Sequence, residues 1–195
     1  MSRSTSPNPW ASMTGVEILR IVQYLGEYCF VRQTQPMRTF FVALRALVFV
    51  VAFVFLWSWL ALGVRTFDHT IGILLPAWTR IPGMVLMGAG GILALVCVGL
   101  FIVCGRGTPA IFDAPRAFVA VGPYRYVRNP MYIGALMVLT GFGLSERSLS
   151  IIVFSLLWLI IIQLFVVYFE EPGLKERFGA SYGEYCKAVP RWIPR

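Results

Sequence analysis

The chain reads as an all-α integral membrane protein with about four membrane-spanning helices, and three observations lead there. It is 58% hydrophobic and 13% charged over 195 residues, too apolar for a soluble domain and too long for one anchor. Four apolar stretches stand out, at 40–64, 83–104, 131–144 and 149–169. The basic residues gather on one side of those stretches. Residues 1–39, 105–130 and 170–195 hold 13 Lys and Arg, whereas 65–82 and 145–148 hold 3.

Each element follows from its own residues. Residues 1–12 are polar and rich in Pro and Ser, an expected disordered tail with no cleavable signal sequence. Thr14-x-x-Glu17 is a capping box, followed by Ile18, Ile21, Val22, Leu25 and Cys29 at helical spacing. With Glu17, Arg20, Gln23 and Glu27 on its other side, this N-terminal helix suits a membrane interface, or a packing site on the polar loops, and ends before Pro36. Residues 1–39 thus form a tail and amphipathic helix, and 40–195 the membrane domain.

Spanning a bilayer takes roughly 20 apolar residues as helix. Stretch 40–64 qualifies, with Arg45 near enough to one end to snorkel. Stretch 83–104 is uncharged, and 149–169 has Gln163 as its most polar side chain. Stretch 131–144 is short, but the brief connection 145–148 makes it one arm of a tight helical hairpin with 149–169. Gly90-xxx-Ala94 suits close contact between helices, and equally suits a ligand approaching the backbone. Trp57, Trp59 and Trp78 flank span ends as interfacial belt residues.

The charge asymmetry is the positive-inside pattern, which places both termini and the basic loops in the cytoplasm. A net charge of +8 is then explained by topology and anionic headgroups, leaving no call for a nucleic-acid partner. Cys29, Cys97, Cys104 and Cys186 have neither metal-ligand nor disulfide spacing and read as reduced thiols; no metal site is expected. His69, the sole histidine, falls on the opposite side from the polar cluster described next. Nothing in the sequence sets an oligomeric state.

Residues 118–134, FVAVGPYRYVRNPMYIG, place Tyr124, Arg125, Tyr126, Arg128, Asn129 and Tyr132 at the mouth of the third span. Glu170 and Glu171 stand at the end of the fourth, so the hairpin brings both groups to one bilayer face. Pro130 suits the first helical turn and Asn129 its N-cap. Two acids at a helix C-terminus oppose the macrodipole and anionic lipid, so they need a partner: Arg125, Arg128 or a bound cation. A second helix starts at Glu171-Pro172 and runs through Tyr185, with Phe178, Tyr182 and Tyr185 on its apolar side and Glu176 and Arg177 toward solvent. A ligand with an aromatic base and an amino-acid end fits this cluster. Aromatic faces stack the base, backbone N–H groups opening the third span take a carboxylate, and Glu170 takes an ammonium.

The G-x-Y-x-x-x-R-N-P-x-Y-x-G run, the Glu-Glu pair and the tail F-G-x-x-Y-x-x-Y-x-x-x-V-P together resemble the isoprenylcysteine carboxyl methyltransferase family of integral membrane enzymes. The likeness covers roughly 113–195, the expected catalytic core. It implies S-adenosylmethionine as cofactor, lined by Tyr124, Asn129, Pro130, Met131 and Tyr132, with backbone contacts from Phe118 and Val119 and with Glu170 on the amino-acid end. Two positions depart from the prenylcysteine enzymes. Asn129 replaces their usual His, a variant that with Glu-Glu-Pro looks like phosphatidylethanolamine N-methyltransferases. Val166 stands where they carry a substrate-contacting Arg. The implied activity is methyl transfer to a lipid-like or membrane-partitioned substrate, an in-line displacement in which alignment supplies much of the acceleration. Glu171 is the candidate base for an amine acceptor. Arg125 and Arg128, and after them Arg177 and Arg191, are candidates for a substrate phosphate or carboxylate. The alternatives are a sterol-type NADPH-dependent membrane reductase, which shares parts of the motif, and a non-catalytic membrane scaffold.

Overall fold

A computed structural model describes residues 36–105 and 121–194, and every described element is helical or a connecting turn. The amphipathic helix expected near Thr14 and Glu17, and the positions Phe118 and Val119, lie outside the described residues.

Helix α1 (Pro36–Arg65) is apolar around most of its circumference, and Phe41, Val48, Val51, Phe55 and Leu62 are exposed along it. A helix hydrophobic on all sides is built for lipid, where every backbone hydrogen bond must be made internally. Where it meets its neighbours α1 carries Ala46 and Ala61, both fully buried. A short helix α2 (Asp68–Ile71) follows, stopped by Gly72 in the left-handed conformation. A 3-10 turn over Ala77–Thr79 leads into α3 (Arg80–Leu100), which widens into a π-helical turn at Phe101–Gly105.

After a 3-10 turn at Gly122–Arg125 come α4 (Pro130–Ser145) and α5 (Leu149–Phe165). Helices spanning Phe40–Ile71, Ala77–Val103 and Leu149–Ala188 are long and apolar enough to cross a membrane, and Pro130–Ser145 is a shorter apolar helix. The expected hairpin is present: Arg147, at φ 58°, turns the chain, and Thr140 donates to Ser155 Oγ across the pair at 3.1 Å.

The closest packing of α4, however, is against α3. The two run antiparallel with backbones in contact: a Cβ on Gly90 would stand 2.6 Å from the Gly134 carbonyl oxygen, and one on Gly83 would stand 2.8 Å from that of Gly141. Small residues spaced by seven on each helix thus form a seam in which no side chain separates the chains. In a bilayer such contact supplies dispersion energy that lipid cannot match. Of the two readings of Gly90, helix contact is the one realised.

Two further expectations are corrected. The helical run of the fourth span does not stop at the acidic pair, although the second helix does start at Glu171 as expected. It passes through a π-helical turn at Val166–Glu170 into α6 (Glu171–Ala188), which bends at Gly179, where φ is 55°. Pro172 brings no N–H to the ladder and crowds the turn before it, and a widened turn accommodates it without breaking the helix. Trp57 is not an interfacial belt residue: it packs edge-on against Trp158 at 5.7 Å and beside Phe154, in the α1–α5 contact. Trp59 and Trp78 are exposed.

At the end of the bundle away from the acidic pair, the loops lock to each other. Arg147 Nε donates to the Leu75 carbonyl at 2.6 Å, Arg65 pairs with Glu146, and the backbone N–H of Ser150 donates to Asp68 at 3.0 Å. Residues 65–82 and 145–148 therefore share one side, as the four-span reading requires.

Candidate active site

At the opposite end, three pieces of chain converge: the turn 121–129 with the first turn of α4, the π turn ending α5, and the tail beyond α6. Gly122, at φ 59°, lets the chain enter the 3-10 turn, where Tyr124 is buried edge-on against Phe101 at 5.5 Å. Cys97 and Met131 pack in the same cluster. Burial, together with the Cys97 thiol and the Glu170 carboxylate, holds the Tyr124 phenol protonated well above its usual range. Its carbonyl accepts from Tyr185 Oη at 2.7 Å, which ties α6 to this turn.

The two acids have different surroundings. Glu171 Oε1 accepts from Arg128 Nη1 at 2.9 Å and Arg191 Nε at 2.8 Å, while Oε2 accepts from Arg191 Nη2 at 2.9 Å. This forked pair holds the Arg191 guanidinium ionised and above its ordinary range. Glu170, one residue earlier, accepts from Tyr132 Oη at 2.9 Å, and no arginine or lysine pairs with it among the described residues. The partner expected for the acids is thus split. Arg128 and Arg191 serve Glu171, and Glu170 has only a neutral phenol.

Asn129 and Pro130 are buried at the entry to α4. Asn129 occupies the N-cap position but does not cap, which corrects the expectation. Its side chain donates instead to the Arg191 carbonyl at 3.4 Å. Pro130 has no N–H, so the N–H groups of Met131 and Tyr132 open the helix without a side-chain acceptor. Of the two expected substrate arginines, Arg128 is enclosed: it holds Glu171, lies 3.0 Å from Cys186 Sγ, and its backbone N–H donates to the Pro190 carbonyl. Arg125 is partly exposed and makes no hydrogen bond or ion pair among the described residues.

Sequence reasoning named Arg191 as a substrate candidate but missed the contacts that the tail makes within the site. Trp192 Nε1 donates to Gln163 at 2.7 Å, so the one amide of the fourth span is answered by the last tryptophan. The signal was present, since a lone amide in an apolar span needs a partner, but its position in sequence was not.

The family model for phospholipid methyltransferases matches residues 78–181, more than half of the chain. The chain belongs to the phospholipid methyltransferase family. The match supports a membrane methyltransferase acting on a lipid-like substrate. The match opens just before α3 and closes within α6, so the glycine seam, the uncapped start of α4 and both acids fall inside it. Arg191 and Trp192 fall beyond its end. No curated protein and no solved structure matches.

Proposed function

We propose that the chain transfers a methyl group from S-adenosylmethionine to an amine-bearing membrane lipid. One observation carries the cofactor reading: a partly buried acid, Glu170, whose described partner is a neutral phenol, lies beside a helix start with open N–H groups. A lone carboxylate in that setting lacks a cation, and an open helix start lacks an anion. The amino-acid end of the cofactor is both, with its ammonium suited to Glu170 and its carboxylate to the N–H groups of Met131 and Tyr132. Asn129 and Pro130 shape that entry. Tyr124 closes the floor, and its phenol, kept neutral, adds no competing charge. Phe118 and Val119 remain proposed backbone contacts.

The bound cofactor supplies an electrophilic methyl on a sulfonium. The protein's contribution is alignment, with effective molarities on the order of 10⁵ M available to a well-oriented pair. Glu171 is poorly placed as the base for the acceptor, because both of its oxygens already face guanidinium donors. Its proposed role is to hold Arg128 and Arg191. Arg128 is correspondingly withdrawn from substrate binding, and Arg125 is the guanidinium left for a headgroup phosphate. Val166 is buried and apolar at the position where prenylcysteine enzymes carry an arginine, which disfavours a prenylcysteine carboxylate and favours a phospholipid amine. The excess of basic residues on this side supports a cytoplasmic site face. The reductase reading draws no support from the family match.

The test is binding and transfer with purified protein in lipid nanodiscs. S-adenosylhomocysteine is expected to bind saturably, Glu170→Ala to abolish that binding, and label from the methyl donor to enter the amine headgroups of a total lipid extract. Binding of NADPH without S-adenosylhomocysteine would falsify the cofactor reading, and label confined to non-amine lipids the acceptor.

A further inference from the structure

Two bonds from the tail converge on the two residues that precede α4. The Pro190 carbonyl accepts from the backbone N–H of Arg128 at 2.9 Å, and the Arg191 carbonyl accepts from Asn129 Nδ2. The Arg191 guanidinium then reaches Glu171, which also holds the Arg128 side chain. The result is a closed ring: tail backbone to the start of α4, Arg128 to Glu171, and Glu171 back to the tail through Arg191. Trp192 on Gln163 fastens the same segment to α5.

Two features of the site depend on this ring. The first is the open helix start. An Asn at an N-cap ordinarily accepts through Oδ1 from the N–H groups of its own helix; here Nδ2 donates to the Arg191 carbonyl at 3.4 Å, which orients the amide, and Oδ1 makes no cap. The second is the spacing between the first turn of α4, which carries Tyr132, and the π turn, which carries Glu170. That spacing is set where α4 is tied to the α5–α6 junction, through Arg128 and Glu171. Glu171 itself is built on a helix, whereas the tail has no helical scaffold beyond Ala188 and is held by its hydrogen bonds.

We infer that Arg191 is a positioning residue for cofactor binding: its carbonyl diverts Asn129 from the N-cap of α4 while its guanidinium, on Glu171, locks that arrangement to the Glu170 turn. Arg191 touches no reacting atom. Its effect passes through Asn129 and Glu171, and the inference rests on the cofactor reading above. Because the ring prepares the site for the donor and takes no part in the displacement, losing it raises the donor KM and leaves turnover at saturation nearly intact.

The experiment uses the full chain in nanodiscs, comparing wild type, Arg191→Ala, Arg191→Lys and Glu170→Ala by S-adenosylhomocysteine titration and methyl-transfer kinetics. Arg191→Ala is expected to weaken binding and raise the donor KM on the order of ten- to a hundredfold, the size of ordinary coupling between linked groups. Its kcat is expected to stay within about threefold of wild type, the signature of lost ground-state binding. Arg191→Lys keeps the charge but loses the fork, and is expected to fall between the two; it carries the test if the alanine variant does not fold. Wild-type affinity in both Arg191 variants, with binding abolished in Glu170→Ala, overturns the positioning role and leaves the cofactor reading standing. A drop in kcat and thermal stability with KM unchanged assigns Arg191 a structural role and also overturns it. Absence of S-adenosylhomocysteine binding in wild type overturns both.

Discussion

Two helices begin within twenty residues of each other, at opposite ends of the bundle, and they begin in opposite ways. Helix α5 is sealed. Ser148 accepts from the N–H of Ile151, and Asp68, from a distant loop, accepts from the N–H of Ser150. Helix α4 has an equally good cap residue available in Asn129, yet no side chain covers its start. Each end is held by loop-to-loop hydrogen bonds and ion pairs. At the α5 end those bonds finish the helix, and at the α4 end they pull the cap away from it. A helix terminus that has a capping residue and does not use it is open to another acceptor, and that contrast is what the proposed site adds to an otherwise similar end of the bundle.

The largest perturbation removes the frame on which both ends depend. Gly90→Leu pushes a side chain into the Gly134 backbone, where even a Cβ would stand at 2.6 Å. Overpacking at such a point costs about 3 kcal/mol or more, and the expected result is loss of folded protein by thermal denaturation and by yield from membranes. Asn129→Ser acts at one end only. A serine is too short to reach the tail and caps α4 locally, so the two termini become alike. S-adenosylhomocysteine affinity is expected to fall about fivefold as a cap worth ~1 kcal/mol competes with the ligand, while the melting temperature holds or rises. Weakened binding together with a lower melting temperature would show that Asn129 serves the fold instead. The smallest effect comes from making α5 resemble α4. Ser148→Ala is expected to cost about 1 kcal/mol of stability, readable as a small drop in melting temperature, with kcat and KM unchanged. A clear loss of transfer there would erase the distinction between the ends.

How far the sequence carried follows the same divide. The all-helical membrane fold, the hairpin and the meeting of 124–132 with 170–171 were legible, because hydropathy and a four-residue connection constrain them locally. The need of the acids for a cation was legible too, and Arg128 was one of the named candidates. What stayed hidden depends on competition between local and distant partners. Asn129 has an acceptor-hungry helix beside it and a carbonyl sixty residues away, and nothing in its neighbours says which wins. Glu171 looked like a free base because its second guanidinium, from Arg191, sits twenty residues downstream in a tail without helical periodicity. The glycine seam was half visible. Gly90 and Ala94 stood out on α3, but the register that pairs Gly90 with Gly134 and Gly83 with Gly141 is a property of two helices together.

The length of α4 has a consequence of its own. At 16 residues and 1.5 Å per residue it rises about 24 Å, against a hydrocarbon thickness of about 30 Å. Held backbone to backbone against the longer α3, a helix this short is a mismatch that local thinning of the bilayer is one way to take up. Thinning at the start of α4 would bring polar headgroups toward the Glu170 end, so that under the proposed function a lipid whose headgroup is to be modified need not leave its leaflet.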